Sequence, residues 1–154
     1  MGCDIHSIVQ VRNRFEDAWE TVAYGLSDNR NYDAFYLLAG VRGCGLVDPI
    51  DTARGLPPEV EKVTETDGHA KHIPRADAPP YYLGEHSFSH VTLAEMKEKI
   101  EDMLDSYLLN SAAYESDEYV VPKVFQDYYD ILELIRVAND LNASEIRLVF
   151  GFDS

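Results

Sequence analysis

Along DIHSIVQVR, residues 4–12, apolar and polar positions alternate with the period of a strand. Ile5, Val9 and Val11 fall on one face, and Asp4, His6, Ile8 and Gln10 on the other. NRFEDA is polar enough to turn, and WETVAY reads as a second strand, so a hairpin is expected from about residue 4 to 24. Tyr32, Phe35, Tyr36 and Ala39 then recur at helical spacing. Asn29 or Asn31 can cap that helix, and Gly40 or Gly43 can end it. Residues 43–58 are punctuated by Gly and Pro and read as a long loop. PPEVEKVTE reads as one short helix, and residues 67–85 as irregular chain. HSFSHV is a short strand candidate leading into Thr92-Leu93-Ala94-Glu95, a capping box for a helix reaching about Tyr107. Pro122 can open a further helix, on which Val124, Tyr128, Ile131, Leu132, Ile135, Ala138 and Leu141 share a face. SEIRLVFGF closes the pattern as a buried strand, with Ile146, Leu148, Phe150 and Phe152 on one side. The order predicts an α+β fold in one domain, 1–154. It has a mainly antiparallel sheet with an N-terminal hairpin and a C-terminal strand, and helices packed on one face. Repeated βαβ units, which a doubly wound fold needs, are not visible.

Composition changes this picture little. The chain has 154 residues, 45% hydrophobic and 11% aromatic, enough for a globular core. It has no apolar run near 18 residues and no charged-then-apolar leader, so it reads as non-membrane, non-secreted and cytoplasmic. MGCDIHS misses the myristoylation pattern, because position 6 is His6 and Ser7 comes one place late. Cys3 and Cys44 form no CxxC pair and read as reduced thiols.

Charge changes more. A net charge of −15 argues against direct nucleic-acid binding through phosphates. Between Glu95 and Glu118, eight carboxylates stand against two lysines. That stretch could imitate nucleic acid and occupy a protein partner, or be an ordinary solvated face. Tyr107, Tyr114, Tyr119, Tyr128 and Tyr129 cluster around it, as packing residues or as a protein-binding face.

Five blocks carry a family resemblance: MGCDIH, RNYDAFYLLAGVRG, RGLPPEV, HSFSHVTLAEM and RLVFGFDS. Together they resemble a family of small proteins of tailed bacteriophages and prophages. The resemblance implies a phage or prophage origin and a cytosolic setting, and supplies no reaction. The family pattern has a large aromatic after the HSxS block, where this chain has His90.

Three groups of residues can carry chemistry. Asp4 and His6 lie two apart on a strand and so on one side, where a carboxylate can orient an imidazole or both can hold a metal. Cys3 points the other way. His86 can join them, and a divalent metal on Asp4, His6 and His86 is a candidate cofactor, although no compact metal signature occurs. His86, Phe88 and His90 are expected on one face, with Ser87 on the other, out of reach of His86. His69, His72 and His90 read as exposed or simply hydrogen-bonded. Arg30, Arg42 and Arg54 sit beside Asn, Gly or Pro in the family-like blocks, with Asn31 and Tyr32 adjoining. They suit two-pronged capture of phosphate, or they tie long loops to carboxylates and carbonyls. No GxSxG, GxGxxG or P-loop motif is present.

The expectation is a pocket for a phosphorylated small molecule, a nucleotide or nucleotide-derived signal. It would act by phosphoester cleavage as a hydrolase or lyase, or by sequestration in counter-defence. Asp4, His6 and His86 would be catalytic, and Arg30, Asn31, Tyr32, Arg42 and Arg54 would bind. The rival reading is an acidic, DNA-mimic-like inhibitor of a host protein. A second copy of the chain is a further candidate partner.

Overall fold

A computed structural model describes residues 2–26, 29–43, 47–60, 63–66, 69–109 and 121–154. Its centre is a four-stranded antiparallel sheet of order β2-β1-β7-β6. Here β1 is Asp4–Asn13, β2 is Ala18–Tyr24, β6 is His86–Thr92 and β7 is Ile146–Asp153. The N-terminal hairpin and the C-terminal strand are therefore both in the central sheet. β1 and β7, the two strands nearest the chain ends, lie side by side from Asp4↔Asp153 to Val11↔Ile146.

Among the described residues, three α-helices cover one face: α1 (Tyr32–Ala39), α2 (Leu93–Leu109) and α3 (Lys123–Ala138). Ile5, Val9 and Val11 of β1 and Ile146, Leu148, Phe150 and Phe152 of β7 pack there against Phe35, Leu38, Met96, Phe125, Tyr128 and Leu132. Asn31 caps α1 by accepting from the Ala34 N–H at 2.8 Å, and Gly40 ends it at φ 70°. The Thr92–Glu95 capping box forms in both directions, at 3.0 and 3.2 Å. Tyr128 is fully buried. The side chain of Tyr107, and Tyr114 and Tyr119 altogether, lie outside the described residues, as does Cys44.

The other sheet face is covered by a structure the sequence pattern does not announce. Residues expected to be irregular, together with the end of the expected short helix, form a three-stranded antiparallel sheet, β3 (Thr64–Thr66), β4 (Ala70–Arg75) and β5 (Ala78–Gly84). Prolines hide it. Pro74 sits at a register shift, and Pro79 and Pro80 lie on the edge strand β5, the places where a missing N–H costs no ladder bond. Of the short helix expected over PPEVEKVTE, the described residues form a 3-10 turn, Pro58–Val60, and the start of β3, with residues 61–62 outside the described residues. Val60, Ile73 and Leu83 then bury Ile8 and Val149, the apolar residues on the back of the central sheet.

The two sheets touch backbone to backbone where β5 crosses β7. A Cβ at Gly151 would come within 2.1 Å of the Leu83 carbonyl oxygen, and one at Gly84 within 2.6 Å of the Phe152 carbonyl oxygen. Gly84 also takes φ 99°, which L side chains rarely adopt.

Candidate acid-base site at the paired chain ends

The β1–β7 register sets Asp4 opposite Asp153 and His6 opposite Gly151. Directly paired residues share a face, as do residues two apart, so Asp4, His6 and Asp153 all project towards the small sheet. His6 Nε2 lies 2.7 Å from Asp153 Oδ2, with the two side chains 25% and 28% exposed. With the proton on Nε2, the carboxylate fixes the ring, and the lone pair sits on Nδ1. Among the described residues, no hydrogen bond is made to Nδ1.

β5 supplies the third member. The Tyr82 ring meets His6 edge-on at 4.6 Å between centroids, and the His72 ring of β4 lies tilted against the same Tyr82 ring at 5.1 Å. Burial pushes the Tyr82 hydroxyl up to about 12, and the charges of Asp153 and Glu85 push the same way. At neutral pH it is a donor. Arg30 adds a cation through a two-pronged pair with Asp4, Nε–Oδ1 2.7 Å and Nη2–Oδ2 3.3 Å. That bond, then the charges of Arg30 and His6, holds the Asp4 carboxyl below its ordinary value. Arg30 packs so closely over Gly2 that a Cβ there would collide with its guanidinium.

His86 does not join this group. It pairs with Phe152 and stacks on that ring, 25° between planes, on the helix side of the sheet. A register shift between His86 and Ser89 also breaks the expected common face. Ser89 pairs with Phe150 on the helix side, whereas Phe88 packs with Ile8 and Val149 on the other. The cause is Ser87, whose φ of 54° makes a bulge. For the same reason Ser87 does meet its neighbour, with Oγ 3.0 Å from His86 Nδ1, contrary to strict alternation. His86 Nε2 is taken by Ser154 Oγ at 2.8 Å, not by a carboxylate. Asp4 and His6 are thus separated from His86 by the sheet itself. Among the described residues, no three of His, Cys, Asp and Glu are grouped to hold a metal.

The five ligand-binding candidates divide as well. Asn31 is occupied as the α1 cap. Tyr32 accepts the Cys3 N–H through its hydroxyl at 3.2 Å, and Arg42 lies over the Tyr32 ring at 5.9 Å. Arg54 is a loop clamp. Its guanidinium reaches Glu95 at 2.5 and 2.9 Å, Asp51 at 3.1 Å and the His90 carbonyl at 3.0 Å. Glu95 above all raises its pKa. The Ser89 hydroxyl it also meets through its own N–H lies opposite Phe150, about 10 Å along β7 from Asp153. Arg30 therefore adjoins His6, and Arg54 does not.

Sequence reasoning missed Asp153 and Tyr82, and it set His72 aside as exposed or simply hydrogen-bonded. Asp153 had a signal: it stands in RLVFGFDS, and pairing the first strand antiparallel to the last puts FDS beside CDIH. Tyr82 and His72 had none, because their strands read as loop. No family model, curated protein or solved structure matches the chain, so the phage-type resemblance rests on its five blocks.

Proposed function

We propose that the protein is an acid-base enzyme cleaving a phosphoester in a small phosphorylated ligand of the nucleotide class, in a phage-type setting. The observation that carries this is the His6–Asp153 contact, which leaves Nδ1 unbonded among the described residues. His6 Nδ1 takes the proton of the attacking water or ligand hydroxyl as the new P–O bond forms. Asp153 holds the imidazole and stabilises its charge. The leaving oxygen takes a proton from the Tyr82 hydroxyl or from protonated His6 as the old P–O bond breaks. Arg30 contacts a phosphate oxygen, exchanging part of its pair with Asp4. The exposed position of that pair keeps the exchange inexpensive.

The acidic-inhibitor reading has less support. Glu95 is committed to Thr92 and Arg54, and Asp102 meets Lys99 at 3.7 Å. Glu115, Asp117 and Glu118 lie outside the described residues.

Incubation with a panel of nucleoside phosphates and cyclic and linear dinucleotides tests the proposal. Turnover of at least one member is expected, falling about 100-fold or more in His6→Ala. Recovery of the whole panel intact rejects the enzyme reading.

A further inference from the structure

Arg147 is a charged residue inside β7, with a side chain only 7% exposed. It projects from the same sheet face as Asp153 but six residues away, about 20 Å along the strand. A polar row crosses the sheet there, Thr21–Gln10–Arg147–Thr92, each paired with the next. Gln10 Nε2 donates to Thr21 Oγ1 at 3.2 Å. Gln10 Oε1 accepts from Arg147 Nε and Nη2 at 3.0 and 2.8 Å. The Trp19 ring lies under the guanidinium at 4.0 Å.

This buried cation is weakly compensated. Gln10 is neutral. Glu59 stands 3.4 Å away and is 46% exposed, whereas a strong charge-assisted bond is about 2.7–2.9 Å. Burying a guanidinium without a close counter-charge is costly. Beside it opens a cleft of about 240 Å³, lined by Gln10, Thr21, Glu59, Val60, Ile73 and Pro74. At about 30 Å³ per water, that volume equals some eight waters. The cleft has an apolar wall, a fixed polar floor and a cation behind it, the anatomy of a small-molecule site.

We propose that this cleft binds a compact monocarboxylate, whose apolar body lies on Val60, Ile73 and Pro74 and whose carboxylate displaces Glu59 from Arg147. A phosphate dianion fits less well, because it meets that apolar wall and the Glu59 charge. The site is independent of the His6 chemistry and does not rest on it.

Trp19 is the chain's single tryptophan, so its emission reports on Arg147 directly. The probe is cyclohexanecarboxylate, titrated at constant ionic strength, with cyclohexylmethanol and inorganic phosphate as controls. Saturable change with a Kd of about 1 mM is expected for the carboxylate alone. Glu59→Gln, a change at a half-exposed side chain, is expected to tighten it several-fold. Arg147→Met, where circular dichroism shows it folded, is expected to abolish it. Three results overturn the proposal: no saturable change in either wild type or Glu59→Gln, equal saturation by the neutral alcohol or by phosphate, or retained binding in folded Arg147→Met.

Discussion

His6 takes its chemical character from Asp153, a residue 147 positions away. Without that carboxylate it would be a polar residue on a strand near a chain end. The three arginines singled out by sequence show the same dependence on partners. Arg30 and Arg54 look alike in sequence, each beside a residue that favours turns, and Arg54 differs by what surrounds it. It faces Asp51 and Glu95 at once, and its exchange for a ligand would break both ion pairs. We therefore expect Arg54→Ala to lose about 1–2 kcal/mol in denaturant unfolding and to leave KM unchanged. Arg30→Ala is expected to do the reverse, raising KM with little change in unfolding midpoint. A residue's type and spacing carry what it can bond, and its partners decide what it does bond. That is why a grouping by type, Asp4 and His6 with His86 and Arg30 with Arg42 and Arg54, cuts across the pairs that form, Asp4 with Arg30 and Arg54 with Glu95.

Among the elements, those with an uninterrupted period were legible: the hairpin, the capped helices and the final strand. The small sheet was not, because Pro74, Pro79 and Pro80 punctuate it and its edge tolerates them. Nor was the β6 bulge, since no residue type announces Ser87 at φ 54°. The crossing of β5 over β7 positions Tyr82 against His6, and it depends on glycine at Gly151. Gly151→Ala would drive a methyl into the Leu83 carbonyl and the Phe88 ring. A loss of about 3 kcal/mol or more is expected in chemical unfolding.

The turn before β7 offers a pH test. Glu145 bonds Arg14 at 2.7 Å and the Asn142 N–H at 2.7 Å. Arg14 first, then that N–H, lowers its carboxyl to about 2 from an ordinary 4.5. The folded state thus favours the ionised form. Its contribution is full above about pH 4.5 and is lost as pH falls towards 2. Thermal melts of wild type and Glu145→Gln are expected to differ at pH 6 and to converge by about pH 2.

At the scale of the whole molecule, a central sheet carries helices on one face and a small sheet on the other, and no described helix is long and apolar enough to cross a membrane. The first and last strands run side by side, so residues from the two ends of the sequence meet in one place. The small sheet closes over that place and brings an aromatic hydroxyl. The fold class follows from the order of elements, but the site follows from strand pairing, which a single sequence states only indirectly. The central claim is that His6 and Asp153 act as one unit. A double-mutant cycle on kcat/KM for the panel's best substrate measures this, using His6→Ala, Asp153→Asn and the double variant. If they act together, the double variant will be no slower than the worse single variant, because each change already disables the pair. Losses that multiply, or an Asp153→Asn enzyme as fast as wild type, would contradict the account.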